Sequence, residues 1–258
     1  MHSLREQFSL NDKVALVTGS GRGIGRAIAL GLAEAGAHIV LTSRTLEEIT
    51  QVAKEIEAIG RRALPIVTDV SHSESVQTLV KKTLSVFEKI DILVNNAGIS
   101  PFWKRVEDLA EEEWDQVLDI NLKGVFLCSR EVGKAMIAQQ KGGSIINIAS
   151  ISGLIGTSHI SAYSVSKAGV MQLTRVLATE WAKQRIRVNA IAPGWVHTQM
   201  SEGVLAHEKI AQELLAHVPL RRAAQPEEMA GMAIYLASDA ASFVTGQVFA
   251  VDGGQVMR

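Results

Sequence analysis

The chain has 258 residues, 47% of them hydrophobic and 21% charged, with a formal charge of −1. This balance suits one large globular domain spanning residues 1–258 and excludes a disordered chain. The near-zero charge argues against a broad nucleic-acid or membrane footprint. The lone cysteine, Cys128, has no internal disulfide partner, which points to a reducing, cytoplasmic setting. The opening "MHSLREQFSLNDK" lacks the apolar core of a signal peptide, and no stretch approaches the roughly 18 uncharged apolar residues of a membrane span.

In chain order, "KVALVTG" (Lys13–Gly19) is a short apolar run ending in glycine, which predicts a strand buried on both faces. A helix is predicted over Gly25–Ala35, stopped by Gly36. "HIVLTS" predicts a second strand. Thr45 with Glu48 has capping-box spacing before a helix that turns Ile49, Val52, Ile56 and Ile59 to one side. "ALPIVTDV" reads as a third strand, and Ser71 with Glu74 as the cap of a helix carrying Val76, Leu79, Val80, Leu84 and Phe87. "DILVNNAG" is a fourth strand, a long helical region runs from Glu111 to Gln140, and "SIINIAS" is a fifth. A helix from Ser161 to Lys183 leads into "IRVNAIAPG", the sixth. Pro226 opens a last helix at the first-turn position where proline is tolerated, and "QVFAVDGG" supplies a seventh strand. Apolar strands alternating with helices predict a parallel, doubly wound Rossmann-like α/β sheet of seven strands with helices on both faces. Its ligand crevice should lie at the carboxyl ends of the strands.

Two clusters of residues carry chemistry. The first strand runs into "TGSGRGIG" (Thr18–Gly25). A strand that turns sharply into a helix presents free backbone N–H groups to an anion, and glycines leave room for a pyrophosphate. No Gly-Lys-Ser/Thr follows, so this is not a P-loop, and no G-x-S-x-G elbow points to a hydrolase. In "NIASISGLIGTSHISAYSVSKAG" (Asn147–Gly169), Tyr163 and Lys167 share a helix face, and Ser150 sits at a strand end. Such a trio suits carbonyl/alcohol interconversion. An ammonium about 4 Å from the phenol, at an effective dielectric near 20, would supply the roughly 4 kcal/mol that lowers a tyrosine from about 10 to about 7. Ser150 is placed to hold the substrate oxygen.

"TGSGRGIG", "NNAG" (Asn95–Gly98), Ser150, Tyr163-x-x-x-Lys167, Pro193–Gly194 and the ending "SDAASFVTGQVFAVDGG" together resemble the short-chain dehydrogenase/reductase family, in its single-domain subgroup. The resemblance implies Tyr163 as catalytic acid/base and Lys167 as its pKa modifier and a ribose ligand. Ser150 orients the substrate, and Asn121 of "DINLKG" organises a proton-relay water. It also implies a cofactor site made by Gly19, Arg22, Gly23, Ile24 and Gly25 in the glycine turn. Asp69 and Val70 flank the adenine there, and Asn95, Ala97 and Gly98 the adenosine side. Pro193, Gly194, Val196 and Thr198 are given to the nicotinamide end. A homotetramer is implied as well.

Where NAD-specific members carry an acid for the ribose 2′-OH, this chain has Ser43 followed by Arg44. With Arg22 inside the turn, that pair predicts a clamp for a 2′-phosphate and therefore NADP(H). The substrate is less legible. Phe102, Trp103 and Trp195 are candidates for an apolar pocket wall. Lys104, Arg105, Arg221 and Arg222 are candidates to receive an acid, and Met200–Leu220 to form a lid. Three enzyme readings stay open at this point: a general ketone/alcohol oxidoreductase, a 3-oxoacyl-[acyl-carrier-protein] reductase, and a sugar or sugar-acid dehydrogenase. An acidic carrier protein would need a basic patch, for which Lys141, Lys183, Arg185 and Arg187 are the candidates. A non-catalytic NADPH-binding redox sensor is the fourth reading. No histidines stand at metal-ligand spacing, so no metal is expected, and Cys128 reads as core.

Overall fold

The computed structural model describes residues 3–257. A short helix α1 (Leu4–Gln7) begins with a capping box in which Ser3 and Glu6 bond reciprocally. The strands are β1 (Val14–Thr18), β2 (His38–Ser43), β3 (Ala63–Val67), β4 (Ile92–Asn95), β5 (Gly143–Ile148), β6 (Ile186–Pro193) and β7 (Val248–Val251). They form one parallel sheet in the order β3-β2-β1-β4-β5-β6-β7. Between them lie α2 (Gly23–Glu34), α3 (Leu46–Ala58), α4 (Ser73–Phe87), α5 (Glu111–Leu118), α6 (Gly124–Gln139) and α7 (Ser161–Trp181). After β6 come α8 (Gln199–Leu205), α9 (Glu208–Leu215) and α10 (Ala230–Ala237). None of these helices is long and apolar enough to cross a membrane.

Alternation within each strand explains why both faces are covered. Ala15 and Val17 of β1 pack with Ile28 and Leu32 of α2, Ile49, Val52 and Ile56 of α3, and Leu236 of α10. Val14 and Leu16, pointing the other way, pack with Val76 and Leu79 of α4, Val132 and Met136 of α6, and Leu177 of α7. Each such aliphatic side chain contributes about 1.5–3 kcal/mol by leaving water. The chain reverses its direction of progress between β1 and β4, which are neighbours in the sheet. Loops leaving adjacent strands on opposite faces open a crevice at that point.

Four local expectations are corrected. Thr45 is the residue before α3, but its side chain makes no cap bond. Glu48 turns to Arg22 of the glycine turn, at 3.0 Å, and so is drawn off the helix end. Ile59, past the end of α3, is exposed. Ser71 does not cap α4; its hydroxyl donates to Asp69 Oδ1 at 2.6 Å, and the helix starts two residues later. The region Glu111–Gln140 is helical throughout but not uniformly α: Asp119–Lys123 forms a π turn that contains Asn121. Pro226 does open the last helical stretch, as a 3-10 turn (Pro226–Met229) that runs on into α10.

Candidate active site

The glycine turn is built by backbone. Thr18, 2% exposed, ends β1 and accepts hydrogen bonds at Oγ1 from the N–H groups of Asn96 (2.9 Å) and Ala97 (3.0 Å). Asn96 Nδ2 donates back to the carbonyls of Thr18 and Gly19, both at 2.9 Å. The ends of β1 and β4 are thereby laced together. Gly19 has φ +62°, and a Cβ there would stand 2.9 Å from Ala97 Cα; a Cβ on Gly25 would stand 2.2 Å from the Gly19 carbonyl oxygen. Gly23, at φ +54°, lies against Thr198, which the fold brings from beyond β6. The residue before α2, Arg22, makes no side-chain cap bond, so the first-turn N–H groups of α2 face the crevice without a side-chain partner. A shallow cradle that a Cβ would fill, lined by helix N–H groups, fits a dinucleotide pyrophosphate.

Of the two predicted phosphate-clamping arginines, only one stands free. Arg44 is exposed beside Ser43, whose hydroxyl bonds the backbone of Thr45. Arg22 is paired with Glu48 instead. Asp69 accepts from the Ser71 N–H and hydroxyl, and despite some desolvation those bonds and the neighbouring His72 hold its carboxyl below the usual range. Val70 is core, packed against Gly124. Asn95 points inward, donating to Ser129 Oγ (2.9 Å) and Asn147 Oδ1 (2.8 Å), so it braces the strand end from below. Ile24 packs against the core behind the turn. Pro193 ends β6, Gly194 N donates to Val251 O at 3.1 Å, and Val196 is buried.

The catalytic candidates converge on the ends of β4 and β5. Asn121 is fully buried; its Oδ1 accepts from Ile99 N (2.8 Å), while Nδ2 donates to Ile99 O (2.9 Å) and Ser166 Oγ (3.2 Å). A π turn widens a helix by one residue, and such turns concentrate at functional sites. This one carries Asn121 onto the loop after β4. A Cβ on Gly98 would lie 3.3 Å from Asn121 Oδ1 and 3.4 Å from Lys167 Nζ, which puts the three residues in one cluster. Ser150 is buried, begins a short 3-10 turn after β5 whose Ser152 N–H donates to its hydroxyl, and stands near the Tyr163 hydroxyl. Lys167, 4% exposed, donates from Nζ to the Ile148 carbonyl at 2.8 Å.

The electrostatics differ from expectation. Lys167 Nζ lies 5.6 Å from the centroid of the Tyr163 ring and is bonded to a carbonyl, not to the phenol. Burial pushes the Tyr163 hydroxyl above its ordinary value of 10, and the nearby Ser150 hydroxyl offsets part of that. Burial also lowers Lys167 to about 8. Desolvation disfavours both charges, so in this arrangement the phenol is held as an acid.

Beside Tyr163 lies a small cavity of about 10 Å³, walled by Phe102 and His159 among others. Trp103 is 58% exposed and stacks flat on His159, with centroids 5.6 Å apart. Trp195 is half-buried. The candidate cations are engaged: Lys104 with Glu113 (2.6 Å), Arg105 with Glu107 (3.1 Å), Arg222 with Glu228 (2.6 Å), and Arg221 with the Ala216 carbonyl (2.6 Å). Lys141, Lys183, Arg185 and Arg187 lie around the amino ends of β5 and β6, the edge opposite the crevice. They therefore make no basic patch beside Tyr163. A larger cleft of about 430 Å³ separates α8 from α9 and is lined by none of the catalytic candidates. The sequence does not show that Asn96 laces β1 to β4 or that Glu48 pairs with Arg22. Asn96 is visible in "NNAG" as the second asparagine, while Glu48 was read only as a helix cap.

A seven-stranded parallel sheet with a glycine turn after β1 and a Ser-Tyr-Lys cluster beyond β5 defines a dinucleotide-fold protein of the dehydrogenase type. A family model described as "Enoyl-(Acyl carrier protein) reductase" matches residues 19–255. The chain is 42% identical to a 2-dehydro-3-deoxy-D-gluconate 5-dehydrogenase of Dickeya dadantii, over 97% of this chain and 98% of that one. It is 43% identical to a 3-oxoacyl-[acyl-carrier-protein] reductase of Synechocystis, over 96% and 99%. A crystal structure of a gluconate 5-dehydrogenase from Burkholderia cenocepacia, in complex with NADP and tartrate, superposes with a TM-score of 0.95 at 36% identity, covering 99% of this chain and 100% of that one. The chain belongs to the short-chain dehydrogenase/reductase family.

Proposed function

We propose that this protein is an NADP(H)-dependent oxidoreductase that interconverts a ketone or aldehyde and an alcohol, with Tyr163 as the acid/base. The observation that carries the reading is the convergence of Ser150, Tyr163, Lys167 and Asn121 beside the crevice that holds the glycine turn. Bound in that crevice, NADPH supplies the hydride. Gly19, Gly23 and Gly25 make room for its pyrophosphate, and Arg44 with Ser43 receives the 2′-phosphate. Arg22 joins them only by leaving Glu48. That the relative from Burkholderia cenocepacia was crystallised with NADP supports this choice of cofactor.

In the reducing direction the substrate oxygen sits between the Ser150 and Tyr163 hydroxyls. Ser150 steadies the charge growing on that oxygen, and Tyr163 delivers the proton. A phenol held above 10 suits that step, since it is protonated at every physiological pH. Oxidation asks the reverse, a phenolate, so Lys167 must move from the Ile148 carbonyl toward the Tyr163 hydroxyl. Asn121 fixes the loop after β4 against α7 and so positions Lys167. We assign the whole chain to one domain, with α8 and α9 as a lid, and place it in the cytoplasm as a homotetramer.

Tyr163→Phe tests the reading. It should lower carbonyl reduction by about 10²–10⁴-fold, with NADPH binding unchanged by fluorescence titration. Survival of activity would refute the mechanism. An unmodified protein that binds NADPH yet reduces no ketone in a broad panel would be the redox sensor instead.

A further inference from the structure

The wall of the cavity beside Tyr163 is partly polar. Ser100, His159 and Ser161 stand in it with Phe102, Leu109 and Val117. His159 is placed with some care. Its backbone adopts φ +68°, a left-handed conformation that a non-glycine residue holds only at some cost. Its carbonyl accepts from Lys104 N at 2.9 Å, Lys104 and Ile160 form a parallel bridge, and Glu113 anchors the Lys104 ammonium. The imidazole lies within 1° of parallel to the Trp103 ring. Among the described residues neither ring nitrogen of His159 has a hydrogen-bond partner, although the side chain is exposed at the cavity mouth. The Ser161 hydroxyl is buried and equally without a partner. A ligand that covers the exposed imidazole displaces water from it, so one that supplies hydrogen bonds in return is favoured.

We infer that His159 is a substrate-recognition residue, and that it selects a carbonyl compound bearing hydroxyl groups near the reacting carbon. The inference rests on the proposed oxidoreductase function and narrows its substrate. Lys104 and Arg105, the cations at this mouth, are already matched by Glu113 and Glu107. Recognition there falls to the ring nitrogens of His159, whose hydrogen bonds suit hydroxyls. A saturated acyl chain would displace water from the imidazole without replacing its hydrogen bonds. Trp103 holds the imidazole plane, so the hydrogen bond has a fixed direction.

Two probes separate this from a general preference for keto acids: 5-dehydrogluconate and 5-oxohexanoate share a six-carbon 5-oxo acid skeleton and differ in hydroxyl groups. The wild type should favour 5-dehydrogluconate in NADPH-dependent reduction. His159→Gly removes the ring and suits the left-handed backbone. It should lower kcat/KM for 5-dehydrogluconate about tenfold, the scale of one or two lost hydrogen bonds, mainly through KM. For 5-oxohexanoate the change should stay within about twofold. His159→Asn, which tolerates the same backbone and restores a polar group, should recover part of the loss. A wild type indifferent to the hydroxyls, or a His159→Gly variant that loses both substrates equally, overturns the inference while leaving the oxidoreductase reading intact. If neither probe is reduced, that reading fails for this substrate class, and thermal shift decides the inference. Gluconate stabilising the wild type but not His159→Gly supports it; an equal shift in both, or none, overturns it.

Discussion

The two ends of the crevice are made by different means. At the glycine turn the working surface is main chain: helix N–H groups, carbonyls laced by Asn96, and space that three missing Cβ atoms leave open. At the catalytic end it is side chains, among them the buried ammonium of Lys167 and a Tyr163 hydroxyl beside Ser150. A backbone surface is rigid and carries no buried charge. A side-chain surface can move its groups during a reaction, but it holds a desolvated charge and so lowers the stability of the fold.

The largest effect should come from breaking the backbone surface. Gly25→Val would drive its Cβ to 2.2 Å from the Gly19 carbonyl oxygen and 2.3 Å from Asn96 Nδ2. Neither end can move without unlacing β1 from β4, so a loss of about 3 kcal/mol or more and of NADPH binding is expected. Urea denaturation and calorimetric titration check this; a stable variant with normal affinity would show that the turn is looser than its geometry implies.

The catalytic end should show its cost through pH. Lys167 falls from 10.5 to about 8 on folding. Below about 8 the lysine is protonated in both states and the full cost of burying its charge applies. Between about 8 and 10.5 the unfolded chain keeps a proton that the folded one has released, so this group makes stability rise with pH. The total gain is about 3 kcal/mol. Lys167→Met, lacking the group, should show no such rise; the difference between the two stability profiles isolates it. Parallel profiles would mean that Lys167 is solvated in a way its 4% exposure does not suggest.

Ser43→Asp should have the smallest effect, because Ser43 and Arg44 lie at the half-buried and exposed rim of the cofactor end. A carboxylate there accepts from a ribose 2′-OH and repels a 2′-phosphate. The ratio of kcat/KM for NADPH over NADH should fall about 10- to 100-fold, the scale of one charge-assisted bond lost. An unchanged ratio would transfer the 2′-phosphate away from β2.

Much of this was legible in the residues themselves. Short apolar runs flanked by glycine marked all seven strands, since strands buried on both faces need no polar alternation. Their parallel, doubly wound arrangement followed from the βα rhythm, whereas the order β3-β2-β1-β4-β5-β6-β7 came from the structure. Tyr163 and Lys167 were visible because four residues make one helical turn. Helix starts were less legible: Thr45–Glu48 and Ser71–Glu74 both have the spacing of a cap, yet Glu48 found Arg22 and Ser71 found Asp69. A carboxylate or hydroxyl takes whichever partner packing brings nearest, and spacing along one helix says nothing of that.

The substrate side was the least legible part. Four cations named as candidates for an acidic substrate are each engaged elsewhere, and the four named for a carrier protein lie at the far edge of the sheet. Charge identity is written in the sequence, but pairing depends on chains of contact such as Glu113–Lys104–His159 that join residues dozens of positions apart. By itself the sequence determined the sheet, the glycine turn, the Ser-Tyr-Lys set and the missing ribose acid, because each rests on local spacing or on a single residue type. Only the tertiary structure decided that Asn121 rides a π turn, that Arg22 is paired, that the Lys167 ammonium rests on a carbonyl, and that His159 faces the cavity with its nitrogens free. Those are matters of which surfaces meet, and burial and competition between partners settle them only once the chain has folded.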